Sequence, residues 1–299
     1  MYPGYPYFGY EIKCEPKPIT FPPQHQDRQP GLEYLMFPRP IYDNPYYRGS
    51  GKLANKTAII TGGDSGIGRA TAVAFAKEGA NIAIVYLYER RDALETKAVI
   101  ESLGRPCLLI EGDLRNESFA KEAVKRTLSA FNGINILVNN IAVQYPQKSI
   151  LDISAEQLEN TFRTNIFSYF YMTKAVLPHL CPGSAIINTA SITAYQGNEE
   201  LIDYSSTKGA IVSFTRSLSK SLIKQGIRVN AVAPGPVWTP LIPSSFSAEE
   251  VMSFGLNVPM KRAAQPFELA PAYVYLASND SGNVSGQVIH VNGGAPVES

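Results

Sequence analysis

This 299-residue sequence has few cysteines, a net charge close to zero and no long apolar runs. Each of these features argues against a particular class of protein. Its three cysteines, Cys14, Cys107 and Cys181, lie far apart and form no C-x-x-C pair. Neither a disulfide framework nor a zinc site is therefore expected, no metal is predicted, and a reducing compartment such as the cytoplasm fits.

The charge balance and the hydropathy argue against two further kinds of partner. A formal net charge of +1 gives no electrostatic reason to bind nucleic acid or an anionic membrane. No apolar run approaches the roughly 20 residues that span a bilayer, and the first residues lack the basic and apolar regions of a signal peptide. With 44% apolar and 18% charged residues, the composition is typical of a soluble globular protein.

The first 50 residues differ in composition from the rest. The stretch up to Gly49 holds ten of the 22 prolines and eight of the 17 tyrosines. Proline at this density blocks helices and removes hydrogen-bond donors, so residues 1–50 are not expected to form a regular domain. We predict disorder for the first dozen residues and an ordered, irregular arm from about Phe21, because disordered segments are poor in aromatic residues. The side chains expected to pack on the core or on a neighbouring subunit are Phe21, Leu35, Met36 and Phe37.

From about Gly51, short apolar runs alternate with amphipathic segments of helical length. Seven runs are predicted to be strands: Thr57–Thr61, Asn81–Tyr86, Pro106–Glu111, Ile134–Asn139, Ser184–Thr189, Arg228–Ala233 and Gln287–Val291. The runs are continuous rather than alternating, which indicates strands that are covered on both faces. Residues 51–299 are therefore predicted to form a single doubly wound Rossmann-type α/β domain, with a seven-stranded parallel sheet flanked by helices.

A glycine-rich stretch, T-G-G-D-S-G-I-G-R-A at 61–70, joins the first predicted strand to a helix predicted at Ile67–Glu78. The free N–H groups of a helix N-terminus favour an anion such as a pyrophosphate. Gly62 permits a tight exit from the strand, while Gly66 and Gly68 allow close approach of the ligand and of the strand. The spacing G-x-x-x-G-x-G differs from the common G-x-G-x-x-G. It resembles the classical short-chain dehydrogenase/reductase family.

A serine, a tyrosine and a lysine further along the chain strengthen this resemblance. Ser191 ends the fifth predicted strand, Tyr204 follows thirteen residues later, and Lys208 lies four residues beyond it, on the same face of a helix. A Tyr-x-x-x-Lys pair alone often occurs by chance, but here it accompanies the glycine loop. The resemblance implies an NAD(P)-dependent oxidoreductase that transfers a hydride between nicotinamide and an aldehyde, ketone or secondary alcohol.

These residue types suit carbonyl reduction. The reference pKa of a tyrosine hydroxyl is about 10, and a nearby ammonium such as that of Lys208 is expected to lower it. Tyr204 is then the general acid in reduction and the base in oxidation, and Ser191 stabilises the charge that develops on the carbonyl oxygen. Asn165, expected to face inward from a long helix, matches the family asparagine that holds a water in a proton relay. The catalytic set is thus Asn165, Ser191, Tyr204 and Lys208.

Further segments resemble the cofactor-binding motifs of the family. Asp113 matches an aspartate that binds the adenine amino group, although a helix cap is the alternative. N-N-I-A at 139–142 departs from the family's N-N-A-G, which leaves the path of this loop open, and P-G-P-V-W-T at 234–239 matches the loop that holds the nicotinamide carboxamide. The predicted cofactor contacts are Gly62, Asp64, Ser65, Gly66, Ile67, Gly68, Tyr86, Glu89, Asp113, Leu114, Asn140, Ala142, Tyr204, Lys208, Pro234, Gly235, Val237 and Thr239.

The choice between NAD and NADP depends on the residues near the adenosine ribose. Tyr86 stands where an NAD-binding enzyme usually has an acid that binds the 2′-hydroxyl, but Glu89 could serve from slightly further on. Arg90 and Arg91 could instead bind a 2′-phosphate. The residue before G-I-G, often basic in NADP-preferring relatives, is Ser65 and follows an aspartate. NAD is slightly favoured, with NADP as the alternative.

The substrate side is less constrained by the sequence. Residues 240–260 are predicted to form a lid, and the candidate pocket walls are Val143, Gln144, Tyr145, Tyr195, Gln196 and Trp238. The resemblance implies a homotetramer built by the last strand segment and by the helices that carry Asn165 and Tyr204. Two alternatives to an enzyme are a nucleotide-binding sensor that has lost catalysis and a scaffold protein that uses its N-terminal arm.

Overall fold

A computed structural model describes residues 17–297 of the chain. A seven-stranded sheet forms its centre, in the order β3-β2-β1-β4-β5-β6-β7, and every neighbouring pair is parallel. The strands are β1 (Thr57–Thr61), β2 (Asn81–Tyr86), β3 (Cys107–Glu111), β4 (Ile136–Asn139), β5 (Ala185–Thr189), β6 (Arg228–Pro234) and β7 (Val288–Val291). The predicted doubly wound parallel sheet is confirmed, and each predicted strand is present within two residues of its bounds.

Nine α-helices are present in residues 17–297: α1 (Gly66–Lys77), α2 (Arg90–Ser102), α3 (Glu117–Phe131), α4 (Ala155–Phe162), α5 (Ser168–Val176), α6 (Thr193–Gln196), α7 (Ile202–Leu222), α8 (Ala248–Met252) and α9 (Ala270–Ala277). A π-helical turn at Arg163–Phe167 joins α4 to α5, where a continuous helix was expected. None of the helices in this part of the chain is both long and apolar enough to cross a membrane.

The core consists of two apolar layers, one on each face of the sheet. Ile60 of β1 packs in the layer that contains α1 and α9, whereas its neighbour Ile59 packs in the layer that contains α3 and α5. Successive strand side chains point to opposite faces, so both must be apolar when both faces are covered. This explains the continuous apolar runs of the sequence. The strand order reverses between β1 and β4, and a ligand crevice is expected at that switch point.

The arm is ordered over the residues that the structure describes, and it packs along the sheet domain with little regular structure of its own. Its one helical element is a single 3₁₀ turn, Glu33–Leu35. Phe21 stacks on Trp238 with ring centroids 3.7 Å apart, and Met36 is buried beside them. Leu35 and Phe37 are 56% and 74% exposed on the single chain, so they do not pack on its core, and their expected packing on a neighbouring subunit stays a prediction. The prediction of disorder in the first dozen residues falls outside 17–297.

Candidate active site

One large cleft opens at the carboxyl ends of the strands and has a volume of about 930 Å³. Ser191, Tyr204 and Lys208 line it together with every predicted cofactor contact except Gly68. Asn165 and Gly68 lie behind its wall. The structure therefore brings the two predicted groups of residues together at the switch-point crevice.

The glycine loop owes its shape to two close approaches. A Cβ on Gly68 would collide with the carbonyl oxygen of Gly62, so only glycine lets α1 pack this tightly on the end of β1. Gly66 has a φ of +50° and lies against Thr239, a conformation that favours glycine. The Asn140 amide braces the loop by donating to the carbonyl of Gly62 at 3.4 Å.

The first turn of α1 is capped by a residue from the arm, which the sequence did not reveal. Ser65 occupies the N-cap position but makes no side-chain cap. Instead the Gly66 N–H donates to the Glu33 carboxylate at 2.6 Å. The same carboxylate accepts a hydrogen bond from Arg69 at 2.6 Å, and Arg69 in turn donates to the Asp64 carbonyl at 2.9 Å. The arm thus holds the glycine loop in place through Glu33.

The catalytic set is held by β5 and α7. Lys208 is fully buried, and its Nζ donates to the carbonyl of Thr189 at 2.9 Å while lying 5.3 Å from the centre of the Tyr204 ring. Ser191 Oγ accepts hydrogen bonds from the Thr193 N–H and Oγ1, both at 3.1 Å. Side chains that are fixed in this way need little reorganisation when a substrate binds.

Burial changes the proton affinities of both ionisable members of the set. It raises the pKa of Tyr204 to about 12, and a hydrogen-bond interaction with Ser191 opposes that rise. It also lowers the pKa of Lys208 to about 7. The expected lowering of the Tyr204 pKa by Lys208 does not occur here, because desolvation dominates and disfavours the charged form of each group.

Asn165 lies in the π-helical turn rather than in a regular helix. Its side-chain amide donates to the Val143 carbonyl and accepts from the Val143 N–H, both at 2.8 Å, and it also donates to Thr207 Oγ1 at 3.1 Å. The inward orientation is as expected, but the side chain is occupied in fixing the loop after β4 against α7. Such π-turns are frequent at functional sites.

Residues at the end of β3 bear on the predicted adenine contact. The N-cap of α3 is Asn116, so Asp113 is not the cap. Although partial burial raises the pKa of Asp113, hydrogen bonds and charge from Arg115 override this and lower it. Leu114 is buried on the wall of the cleft, and the Tyr86 hydroxyl donates to Glu111 at 3.1 Å.

Two buried carboxylates, those of Asp64 and Glu89, line the part of the cleft near the end of β2. Burial raises the pKa of both, and the negative charge of Glu89 raises that of Asp64 further. The Glu89 carboxylate accepts from the backbone N–H groups of Leu87 and Tyr88 at 3.1 and 2.7 Å. Both acids therefore hold their protons more tightly than they would in water.

The predicted pocket walls are correct only in part. Val143, Gln144, Tyr145 and Gln196 line the cleft, as does much of the predicted lid at 240–260. Tyr195 and Trp238 do not: Tyr195 packs edge-on against His290, and Trp238 is buried under Phe21, with its Nε1 donating to the Pro38 carbonyl.

Sequence reasoning missed Asp203, next to the catalytic tyrosine. This buried acid accepts hydrogen bonds from Thr161 Oγ1 at 2.9 Å and from Gln157 Nε2 at 3.0 Å, which ties the start of α7 to α4. The missed arm residues are Gln29, Pro30, Gly31 and Glu33, of which the first three line the cleft. No local pattern marks them, because their partners lie more than 30 residues away.

Comparison with known proteins agrees with this geometry. The sequence model described as enoyl-(acyl carrier protein) reductase matches residues 62–296. The chain is 64% identical to the uncharacterized oxidoreductase YhxC of Bacillus subtilis, over 94% of this chain and 98% of that one. It is 54% identical to the glucose and ribitol dehydrogenase of Daucus carota, over 93% and 97%.

Solved structures match the sheet domain. A short-chain dehydrogenase from Burkholderia cenocepacia in complex with NADP has a TM-score of 0.76 and 27% identity, covering 81% of this chain and 98% of that one. About a fifth of the present chain therefore has no counterpart in that structure. The fold, the site and these matches together show that the chain belongs to the classical short-chain dehydrogenase/reductase family and is an NAD(P)-dependent oxidoreductase acting on CH–OH and carbonyl groups.

Proposed function

We propose that Tyr204 is the general acid when a carbonyl is reduced and the general base when the alcohol is oxidised. The observation that carries this proposal is the meeting of Ser191, Tyr204 and Lys208 in the cleft that also contains the glycine loop. The bound nicotinamide supplies or accepts the hydride. The chain itself holds the substrate oxygen and moves its proton.

Each member of the set has a distinct proposed role. Ser191 Oγ hydrogen-bonds the substrate oxygen next to Tyr204. Lys208 binds the nicotinamide ribose, and Asn165 supports the proton relay that ends at this lysine. The cofactor contacts are those predicted from the sequence, with Gly68 acting through the packing of α1 rather than through the wall of the cleft.

We propose that NAD is preferred over NADP. A 2′-phosphate would bring up to two negative charges close to the buried carboxylates of Asp64 and Glu89, whereas ribose hydroxyls can donate hydrogen bonds to them. The backbone donors of Leu87 and Tyr88 are already used by Glu89. The ratio of kcat/KM for NAD over NADP should exceed one, and it should fall in Glu89→Ser; a wild-type ratio below one contradicts the preference.

The proposed substrates are small carbonyl compounds and alcohols that carry further hydroxyl groups. Polar side chains of Gln196, Asn198 and Asn257 line the cleft together with apolar lid residues, and a relative is named for glucose and ribitol. Polyols and sugars are therefore the first substrates to test.

A cytoplasmic homotetramer is the proposed assembly. Phe170 of α5 contacts Phe214 of α7 with ring centroids 4.4 Å apart, yet it remains 46% exposed. An aromatic face shared by these two helices is suited to burial against a second copy. Light scattering should give four times the 32.7 kDa chain mass, and a monomeric mass would contradict the assembly.

The catalytic proposal is tested by following nicotinamide absorbance with NADH, NADPH and their oxidised forms. Ribitol, glucose, aliphatic aldehydes and aromatic aldehydes form the substrate panel. Tyr204→Phe should lower kcat by about 10²- to 10⁴-fold while cofactor binding persists. Tyr195→Phe, outside the cleft, is the matched control and should retain activity. Equal turnover by Tyr204→Phe would overturn the assigned role, and cofactor binding without any turnover would favour the sensor alternative.

A further inference from the structure

The arm crosses the mouth of the cleft at Gln29–Gly31, three residues that we call the strap. The Pro30 carbonyl accepts a hydrogen bond from the Tyr88 hydroxyl, beyond β2. Gln29 binds Gln144, beyond β4, and Gly31 lies against Pro240, beyond β6. Since β2 and β6 are on opposite sides of β1 and β4 in the sheet, the strap spans the switch-point crevice where ligands bind in such folds.

Gln29 is the link between the strap and the floor of the cleft. Its side-chain amide donates to the Gln144 carbonyl and accepts from the Gln144 N–H at 3.0 Å. Gln144 is itself buried, so these paired hydrogen bonds are shielded from water. They join two segments that are 115 residues apart in the sequence.

Gly31 allows the strap to pack directly against the lid. A Cβ at this position would collide with the Pro240 carbonyl oxygen and come within 3.0 Å of Ser244 Cβ. A little earlier in the arm, the Gln26 N–H donates to the Pro243 carbonyl at 2.7 Å. The strap and the first turn of the lid therefore form a single cover over the cleft.

Buried contacts anchor the arm on both sides of the strap. Before it, Phe21 stacks on Trp238; after it, Glu33 pairs with Arg69. Between these anchors lie exposed residues such as Asp27 and Arg28. The arm is thus a loop fixed at both ends, whose tip lines the cleft.

The contacts of the strap match the two ends of the predicted dinucleotide site. Tyr88 adjoins Glu89, assigned to the adenosine ribose, and Pro240 adjoins Thr239, assigned to the nicotinamide. We propose that the strap closes over the middle of the bound dinucleotide and slows its release, with Gln29 as a positioning residue for the cofactor. This inference rests on the proposed function, because it takes the cleft to hold a nicotinamide dinucleotide.

The alternative is an arm that only stabilises the sheet domain. Both views allow a lower melting temperature when the arm is altered, so stability cannot separate them. A strap over the cofactor changes the rate at which the cofactor leaves, whereas a purely structural arm does not. Opening of such a cover limits turnover in many enzymes, so the release rate is the quantity to measure.

The test uses the full chain loaded with NADH and chased with excess NAD⁺ in a stopped-flow instrument, with NADH fluorescence as the signal. Gln29→Ala should raise the dissociation rate of NADH about 5- to 20-fold, because it removes both hydrogen bonds to Gln144. Gly31→Ala should raise it as well, by pushing the strap away from Pro240.

Phe37→Ala is the matched control, since Phe37 belongs to the arm, is 74% exposed and lies outside the cleft; its NADH release should equal that of the wild type. In hydrogen exchange, NADH should slow the backbone amides of residues 26–32. Wild-type release rates in Gln29→Ala would overturn the strap while leaving the proposed function intact. A wild-type protein that binds neither NADH nor NADPH would instead remove the proposed function, and the strap with it.

Discussion

Burial of Lys208 is unfavourable for the free energy of folding. Its ammonium is fully buried, and its one hydrogen-bond acceptor is the neutral carbonyl of Thr189. Desolvation accounts for the fall of its pKa from 10.5 to about 7. Such a group is retained for chemistry rather than for stability, as is common at active sites.

Replacing Lys208 by methionine is therefore expected to stabilise the fold at low pH. Between pH 7 and about 10 the unfolded chain holds a proton on Lys208 that the folded chain has released, so wild-type stability rises with pH in this window. Below pH 7 the full penalty of the buried charge is present. At pH 6, Lys208→Met should thus be more stable than the wild type by on the order of 2–4 kcal/mol, a gain that shrinks by pH 9.

Thermal or denaturant unfolding at pH 6 and pH 9, at one protein concentration, measures this difference. Lys224→Met, at an exposed position in the 3₁₀ turn that follows α7, serves as the control and should show no pH-dependent gain. A lower stability of Lys208→Met at pH 6 would mean that the carbonyl of Thr189 compensates for the buried charge.

Among the elements of the fold, the close packing of α1 on β1 sets the shape of the glycine loop. Gly68 and Gly209 both lie inside helices, but a Cβ on Gly68 meets the backbone of Gly62, whereas a Cβ on Gly209 in α7 meets nothing within 4 Å. The same substitution therefore has opposite consequences at the two positions. Helix propensity alone would favour alanine at both.

Gly68→Ala is expected to displace α1 from the strand and to lower the affinity for NADH at least tenfold, since the loop loses its shape. It should also lower the stability by about 1–3 kcal/mol, as overpacking does. Gly209→Ala should keep the affinity for NADH and gain up to about 1 kcal/mol in stability. Fluorescence titration with NADH and thermal unfolding of both variants give the comparison; unchanged NADH affinity in Gly68→Ala would show that α1 can shift without harm.

The π-turn at Arg163–Phe167 shows which element features a sequence does not reveal. The apolar periodicity of this region indicates a helix, and a helix is present on each side. The extra residue in the turn is stabilised by tertiary contacts, among them those of Asn165 with Val143 and Thr207. Such contacts leave no periodic signal, so the break in the helix could not be predicted.

For the whole molecule, the sheet could be predicted from the sequence, as could an irregular arm with Phe21 and Met36 buried, but the partners of the arm could not. Continuous apolar runs report burial on both faces of a strand. The spacing of Ser191, Tyr204 and Lys208 follows from the place of the serine just after β5 and of the other two on α7. The arm is joined to the domain by pairs such as Glu33 with Arg69 and Phe21 with Trp238. These pairs depend on where distant segments meet, which composition does not encode. For the same reason Trp238 was wrongly predicted to line the pocket.

The arm joins the domain through a buried charge cluster. Arg69 pairs with Glu33 at 2.6 Å and lies 3.6 Å from Asp92, and all three side chains are almost fully buried. Asp92 also accepts from the Glu33 N–H at 2.8 Å. Burial raises the pKa of both acids, although Arg69 opposes the rise. Arg39, whose side chain is 40% exposed, also lies 3.6 Å from Glu33 and 3.8 Å from Asp92. Two guanidiniums, of which only Arg69 is buried, therefore face the two carboxylates and fix the arm beside the glycine loop.

The burial of the Arg69–Glu33 pair predicts the outcome of a double-mutant cycle at these two positions. Arg69→Met leaves the two buried acids with the more exposed Arg39, 3.6 and 3.8 Å away, as the remaining cation within 4 Å among residues 17–297. It should cost about 3–5 kcal/mol, whereas Glu33→Gln should cost less, because Asp92 still faces Arg69. The coupling energy between positions 33 and 69 should exceed about 1.5 kcal/mol. The exposed pair Lys97–Glu101, 3.5 Å apart, is the control cycle and should couple by less than about 0.5 kcal/mol.

Because the folded-state pKa values of Glu33 and Asp92 are raised, the cost of Arg69→Met should shrink as the pH falls toward 5 and these acids take up protons. Unfolding free energies at pH 5 and 7.5 measure both effects, and coupling no larger than that of the control pair would show that the apolar contacts of Phe21 and Met36 hold the arm instead.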